Sequence, residues 1–247
     1  AEEIWETLEL SRWLKEKLKK GEDYKPFAGK TLAMIFSKPS ARTRVSFETG
    51  FYRLGGHALF LGPDDIGIGK RESVSDIANV LSRFNNMIMA RLFEHHHIIE
   101  LAKNASVPVV NGLTDFNHPC QIMADILTVY EHRGNLDDLK ITYVGDGNNI
   151  VHSWLALSMR IPFHLTIACP EGYAPSSDML KAAKDANIST VEISHKPYDA
   201  VKDADVVYTD VWASMGQKEE AEERRNRFKG FQINDDLMAA TGKHTFF

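Results

Sequence analysis

The sequence predicts an α/β protein with two domains, each built on a doubly wound parallel β-sheet. Short apolar runs of four to six residues alternate with longer amphipathic segments along the whole chain. Strands that alternate with helices in this way form parallel sheets covered on both faces. A long helical segment separates the runs into two groups of four, and 247 residues suffice for two modest domains.

The first half begins with an amphipathic helix that ends near Gly21. Its apolar residues recur near helical spacing: Ile4, Leu8, Trp13, Leu14 and Leu18. Four strand-like runs follow, namely TLAMIF (31–36), HALFL (57–61), MIMA (87–90) and VPVV (107–110). These runs predict the four strands of the first sheet.

A helix over residues 119–132 marks the boundary between the two halves. Pro119 suits the first turn of a helix. Apolar side chains lie on two edges of this helix and predict that it is buried between layers: Ile122, Met123, Ile126, Leu127 and Tyr130. We therefore predict domains at residues 1–133 and 134–247.

The second half repeats the pattern of apolar runs. Its predicted strands are ITYV (141–144), FHLTIA (163–168), TVEI (190–193) and DVVYT (205–209). Ligands of open α/β sheets bind beyond the carboxyl ends of the strands. Because polar motifs follow the strands in both halves, we predict a ligand site in the cleft between the domains.

Composition narrows the class of protein and its surroundings. The net charge is −5 with both signs spread along the chain, which disfavours a nucleic-acid partner. Two cysteines, Cys120 and Cys169, form no CxxC unit and indicate a reducing compartment. No apolar run approaches the length of a membrane span. The acidic N-terminus is unlike a signal peptide, so we predict the cytoplasm, or an organelle if a transit peptide was removed.

The stretch SKPSARTR, residues 37–44, connects the first strand to a helix. A helix N-terminus offers unpaired N–H donors and a partial positive charge, and Ser40 or Thr43 is expected to cap it. Arg42 and Arg44 each carry a planar fork that suits phosphate or carboxylate oxygens. The stretch predicts an anion site, and the alternative is a capped surface helix with two solvated arginines.

A second polar motif, FNHPCQ at residues 116–121, also opens a helix after a strand. His118 and Gln121 lie three positions apart across its first turn, where one side chain can donate to an oxygen while the amide of the other fixes a nitrogen or a carbonyl. Arg91 ends the strand MIMA and adds a third arginine at the same sheet edge. A nucleophile made of Cys120 and His118 is disfavoured, because neighbours in sequence rarely have the required geometry.

The turn VGDGNN, residues 144–149, is similar to a dinucleotide-binding turn but departs from it at Ile150, where the third glycine should be. The next strand ends in ACP, with no acid for a ribose hydroxyl, so a nicotinamide cofactor is disfavoured. Asn148 and Asn149 instead offer amides to a polar ligand.

The run TDVWASMG, residues 209–216, follows the last strand of the second group. Asp210 is well placed to meet an ammonium group, and Ser214, Met215 and Gly216 are typical of a loop that closes over a ligand. Elsewhere, the three adjacent histidines of EHHHIIE (94–100) predict a solvated helix start and no metal site, because zinc ligands come at spaced positions.

Together these motifs resemble one family, the ornithine carbamoyltransferases within the aspartate/ornithine carbamoyltransferase group. Ser40 to Arg44 matches the family's S-T-R-T-R loop, with Ala41 in place of threonine, and His118 to Gln121 matches H-P-x-Q. Arg91, Asn149, Asp210, Ser214 and Met215 match further binding positions, in the family's order and over essentially the whole chain. The SMG loop favours ornithine over aspartate.

The resemblance implies a transferase that moves the carbamoyl group of carbamoyl phosphate to the δ-amine of ornithine in arginine biosynthesis. It implies a carbamoyl phosphate domain, a Rossmann-like ornithine domain and an active site in the interdomain cleft. The residues that would bind carbamoyl phosphate are Ser40, Ala41, Arg42, Thr43, Arg44, Arg91, His118 and Gln121, of which Arg42, Arg91 and His118 are the catalytic ones. Those that would bind ornithine are Asn149, Asp210, Ser214 and Met215.

The resemblance further implies a homotrimer without metal or organic cofactor, with the loop at 62–73 as a candidate to reach a neighbouring subunit. The family continues beyond the strand that begins TFF (245–247) into an H-C-L-P motif, so we expect the second domain to be incomplete here. Two alternatives stay open: a carbamoyltransferase for another amine, such as putrescine, an acylated ornithine or aspartate, and a non-catalytic module that binds carbamoyl phosphate.

Overall fold

The computed structural model describes residues 1–69, 71–212 and 221–247. Within these residues the chain forms two compact units, Glu2–Met123 and, together with Ala1, Ala124–Phe247. Each unit contains one four-stranded sheet in which every pair of neighbouring strands is parallel. The predicted α/β class with two parallel sheets is confirmed.

The first unit has the strand order β2-β1-β3-β4. Its strands are β1 (Thr31–Phe36), β2 (His57–Leu61), β3 (Met87–Arg91) and β4 (Val109–Leu113). Its helices are α1 (Glu2–Lys19), α2 (Ala41–Arg53), α3 (Pro63–Ile66), α4 (Val74–Phe84) and α5 (His95–Asn104), and α6 (Pro119–Arg133) begins in this unit. The predicted helix after β4 is thus confirmed and extends one residue further.

Burial of β1 on both faces of the sheet explains why its residues from Leu32 to Phe36 are all apolar. Successive side chains of a strand point to opposite faces, and both faces of this sheet are covered. Ala33 and Ile35 enter a core cluster with Ile77 of α4, whereas Leu32 and Met34 enter a second one with Phe51, Phe36 and Met89. Full burial of such a side chain stabilises the fold by about 1.5–3 kcal/mol.

The second unit has the strand order β7-β6-β5-β8. Its strands are β5 (Lys140–Val144), β6 (His164–Ala168), β7 (Thr190–Ser194) and β8 (Val206–Tyr208). Its helices are α7 (Asn149–Ser158), α8 (Ser177–Ala186), α9 (Pro197–Ala200), α10 (Ala221–Arg227) and α11 (Asp235–Ala239). Beyond β8, Phe246 pairs in parallel with Val206, and the Val207 N–H donates to the Phe246 carbonyl oxygen at 2.9 Å.

The strand predicted at 107–110 lies instead at Val109–Leu113. Pro108 cannot donate to a ladder, although its carbonyl accepts from the Ile88 N–H at 2.9 Å. Gly112 lies within the strand despite the weak β-propensity of glycine. A Cβ at this position would lie 2.6 Å from the Met89 sulfur. The ladder with β3 runs from Val109 to Leu113, with a register shift near Gly112, so pairing with β3 sets this boundary. Across the described residues, every helix is too short or too polar to span a bilayer.

Candidate active site

The polar residues after β1, β3 and β4 form what we call the cationic edge of the first unit: Lys38, Ser40, Thr43, Arg91 and His118. The register pairs Phe36, the last residue of β1, with Arg91, the last residue of β3. Arg91 Nη1 donates to Thr43 Oγ1 at 2.9 Å, and Ser40 Oγ donates to the same oxygen at 3.0 Å. The fold thus brings Arg91 to the predicted anion loop, 48 positions away in sequence.

The start of α2 differs from the expected capping arrangement. Ser40 occupies the N-cap position with extended backbone, but its side chain accepts no capping hydrogen bond, and its hydroxyl donates to Thr43 Oγ1. A helix whose first N–H groups are not capped by its own side chain keeps these donors for an anion.

The two flanking arginines have different surroundings. Arg44 donates from Nε to Glu48 Oε1 at 3.0 Å, and its guanidinium lies over the Phe60 ring, 4.0 Å from the centroid. These contacts orient the Arg44 side chain along α2. Arg42 is exposed to solvent in the first turn of the same helix.

His118 lies directly before α6, and its carbonyl accepts from the Gln121 N–H at 3.1 Å in the first helical turn. Burial, together with the smaller effects of the charges of Arg91 and Lys38, lowers the pKa of His118 to about 4. The imidazole is therefore neutral near pH 7. A neutral ring still donates one hydrogen bond, which suits an oxygen that gains negative charge.

The cationic edge holds more buried positive charge than the sequence motif suggested. Burial lowers the pKa of Lys38, with Arg91 acting in the same direction and Asp115 against it. Burial also lowers the pKa of Arg91, whose Nε is buried without a hydrogen-bond partner among the described residues. An anion bound here would compensate these desolvated cations. Lys38 was missed, although its position directly after β1 was a usable signal.

Two alternatives for the first unit are weakened by its geometry. Cys120 Sγ donates to the Asn111 carbonyl at 3.3 Å, and burial raises the pKa of this thiol, so it stays protonated.

His95 Nδ1 lies 2.9 Å from Thr114 Oγ1, so the histidine run is less solvated than predicted. In the part of the chain that the structure describes, no three metal-ligating side chains converge.

The ends of β5 and β8 form what we call the carboxylate edge of the second unit: Asp146, Asn148, Asp210 and Arg224. Asn148 caps α7, because its Oδ1 accepts from the Ile150 N–H at 2.9 Å, and its Nδ2 lies 3.4 Å from Asp210 Oδ2. Asp210 Oδ1 accepts from the Val211 N–H at 2.8 Å. Asn149, the predicted ligand, is the first residue of α7. Ser214 and Met215 lie outside the described residues.

The second glycine of the GDGNN turn is required for backbone packing. A Cβ on Gly147 would lie 2.3 Å from the Pro175 nitrogen, and the Gly147 N–H donates to the Tyr173 carbonyl at 2.9 Å. The segment after β6 therefore lies directly against this turn. A nucleotide is not needed to explain the glycine.

The pair formed by Asp146 and Arg224 was missed by the sequence analysis. Arg224 Nη1 lies 2.8 Å from Asp146 Oδ2, with only 12% and 15% of the two side chains exposed. The same nitrogen donates to the Trp212 carbonyl at 3.0 Å. Burial raises the pKa of Asp146, Arg224 opposes this shift and Asp210 adds to it. Sequence carried no signal for a pair separated by 78 positions.

Two parallel α/β units, one with a cationic edge and one with a carboxylate-and-amide edge, are the architecture on which the chain can be compared with known families. Models of the aspartate/ornithine carbamoyltransferases match both units: their carbamoyl-P binding domain matches residues 1–131, and their Asp/Orn binding domain matches residues 137–247. The chain belongs to this family.

Individual relatives agree with this assignment. The chain is 59% identical over 247 residues to "Ornithine carbamoyltransferase, chloroplastic" of Pisum sativum, and it spans 66% of the length of that relative. It is 51% identical to the ornithine carbamoyltransferase of Chlorobaculum tepidum, covering 97% of this chain and 72% of the relative. The solved ornithine carbamoyltransferase of Pyrococcus furiosus superposes with a TM-score of 0.92 at 48% identity, over 97% of this chain and 77% of that one.

Proposed function

We propose that this protein is an ornithine carbamoyltransferase, which transfers the carbamoyl group of carbamoyl phosphate to the δ-amine of L-ornithine and releases L-citrulline and phosphate. The observation that carries the proposal is the cationic edge, where Arg91, Thr43 and Ser40 are joined by hydrogen bonds. The names of the relatives support ornithine as the acceptor.

The residues of the cationic edge would bind and activate carbamoyl phosphate. Its phosphate would lie at the start of α2, held by the hydroxyls of Ser40 and Thr43, the backbone at Ala41 and the guanidinium groups: Arg42, Arg44 and Arg91. These groups also stabilise the phosphate as it leaves, so they act on the transition state. Neutral His118, together with Arg91, donates to the carbamoyl oxygen, while Gln121 holds the carbamoyl nitrogen.

The second unit would bind the amino-acid end of ornithine. Asp210 accepts from its α-ammonium, Asn149 binds its α-carboxylate end, and Ser214 and Met215 complete the contacts. The δ-amine, with a pKa near 10 in water like that of lysine, must lose a proton before it attacks the carbonyl carbon. Orientation of the two substrates accounts for about 7–11 kcal/mol of the barrier, and no metal or organic cofactor is required.

The proposed assembly is a homotrimer with the active site in the interdomain cleft, domains at residues 1–133 and 134–247, and no nucleic-acid or membrane partner. We propose the cytoplasm or the interior of an organelle as the compartment. The chloroplastic relative of Pisum sativum is compatible with the second choice.

The test is an assay of the full-length protein with carbamoyl phosphate and four separate acceptors: ornithine, N-acetylornithine, putrescine and aspartate. We expect citrulline from ornithine, with kcat/KM at least about 100-fold above that for the other amines, because a site that pairs a buried charge rejects a ligand lacking its partner. A faster reaction with another amine would overturn the assignment of the acceptor. Binding of carbamoyl phosphate without turnover of any amine would overturn the proposed activity.

A further inference from the structure

The carboxylate edge contains two acidic side chains, Asp146 and Asp210. Asp146 follows β5 and Asp210 follows β8, and these strands are neighbours in the sheet. Asp146 forms its ion pair with Arg224 of α10. The hydrogen bonds that the described residues give to Asp210 come from neutral donors, the Asn148 amide and the Val211 N–H. Among residues 1–69, 71–212 and 221–247, Asp146 therefore has a cationic partner and the Asp210 carboxylate has neutral ones.

We propose that Arg224 is a positioning residue that neutralises Asp146, so that Asp210 and not Asp146 offers a negative charge to the acceptor amino acid. The inference rests on the proposed function and deepens it, because it concerns how the site treats the two amines of ornithine. Arg224 does not touch the substrate in this scheme. It acts through the charge of Asp146.

The chemistry of ornithine explains why this compensation matters. The α-ammonium must stay charged to pair with a carboxylate, whereas the δ-amine must be neutral to attack. Three methylene groups separate Cα from the δ-nitrogen, so both amines lie within one Debye length, about 10 Å in 0.1 M salt. A second, uncompensated carboxylate would stabilise the δ-ammonium and raise its pKa. Arg224 prevents this rise in the pKa of the δ-ammonium, while the Asp210 carboxylate still pairs with the α-ammonium.

Several other polar groups face the two acids. They are Tyr143 of β5, Tyr208 of β8, Cys169 after β6, Tyr173 before α8 and Asp125 of α6, which accepts from the Tyr208 hydroxyl at 2.7 Å. Burial raises the pKa of Tyr143, Tyr208 and Cys169, so these three stay neutral through the pH range of the reaction. Asp125 and its hydrogen bond from Tyr208 are present in every variant, so the variants change only the charges of Asp146 and Arg224.

The experiment measures the single-turnover rate of the full-length enzyme against pH with both substrates saturating, which reports the pKa of the bound δ-amine. In Arg224→Met, the bare Asp146 carboxylate should move the acidic limb of the profile up by about one pH unit. In Asp146→Asn, the bare guanidinium should move it down by a similar amount. The double variant should return close to the wild-type profile, since both charges are gone.

Opposite shifts that cancel are the result expected of a charge pair. A purely structural pair would lower the rate in all three variants without opposite shifts. Arg227→Met is the matched control, because Arg227 is exposed one turn further along α10. The KM for carbamoyl phosphate should change less than about twofold in every variant, since its proposed ligands belong to the first unit.

The results that would contradict the inference differ from those that would contradict the proposed function. If Arg224→Met does not fold, as judged by circular dichroism, the Asp146→Asn profile decides by its downward shift. An unshifted profile in Asp146→Asn, or shifts of the same sign in both single variants, overturns the inference and leaves the proposed function standing. A wild-type enzyme that does not carbamoylate ornithine overturns both.

Discussion

The cationic edge and the carboxylate edge occupy equivalent positions in two similar sheets, yet they treat their helix starts differently. At α2, the N-cap hydroxyl of Ser40 turns to Thr43 and leaves the helix N–H groups uncapped by that side chain. At α7, Asn148 caps the helix itself. A helix N-terminus after a parallel strand is thus not an anion site by itself, because its own cap decides whether the donors are free.

Burial acts against charge at both edges. It lowers the pKa of the cations Lys38 and Arg91 in the first unit and raises the pKa of Asp146 in the second. Of these three groups, Asp146 alone has a buried ion-pair partner in the described part of the chain, Arg224, which opposes the effect. The cationic edge therefore has more to gain from a ligand, and we expect the strongest effects of substitution there.

The largest expected effect is at Arg91. Arg91→Gln should lower kcat/KM for carbamoyl phosphate by about 100- to 1000-fold, since it removes the charged donor that we propose for the leaving phosphate and the carbamoyl oxygen. Steady-state kinetics measures this loss. Arg83→Gln is the control, because Arg83 is exposed near the end of α4. A variant of Arg91 with nearly normal turnover would show that the cationic edge is not the donor site.

Asp210 should matter less and only for the acceptor. Asp210→Asn should lower kcat/KM for ornithine by about 10- to 100-fold, the cost of losing one charge-assisted hydrogen bond. The dissociation constant for carbamoyl phosphate, measured by calorimetry, should stay unchanged. Asp203→Asn, at an exposed position of the same unit, is the control. Equal losses for both substrates would contradict the division of labour between the two edges.

The lowered pKa of His118 makes the free energy of unfolding depend on pH. Its folded-state pKa of about 4 lies below the unfolded value of about 6.5, so the unfolded chain binds the extra proton between these values. The free energy of unfolding should therefore fall as the pH drops from 6.5 to 4, by roughly 1–3 kcal/mol from this group. Urea denaturation of wild type and His118→Gln across this range measures the difference. Parallel curves for the two proteins would refute the shifted pKa.

The smallest expected effect is at Cys120. Cys120→Ser keeps a donor for the Asn111 carbonyl and should change kcat less than about threefold, because a protonated, buried thiol takes no part in the chemistry. Turnover and its sensitivity to a thiol reagent are the measurements. A loss of more than about 100-fold would revive the thiol–imidazole nucleophile.

The sequence alone predicted most of the fold and part of each edge. Apolar runs located the strands because a covered parallel sheet demands continuous apolar segments. The strand at 107–110 was misplaced because its ladder with β3 runs from Val109 to Leu113, a register that depends on a distant strand. Arg91 was placed correctly from its position at a strand end. Lys38 was overlooked within the very motif that defined the anion loop.

Local chemistry was thus determined by the sequence itself: the strand–loop–helix order, the arginine-rich loop, the histidine before α6 and the amide turn before α7. Tertiary structure alone decided how these residues are used. It brought Arg91 to Thr43 and Arg224 to Asp146, and it lowered the pKa of His118. The physical reason is that a side chain's partners and its exposure to water depend on residues far away in sequence, which local pattern does not encode.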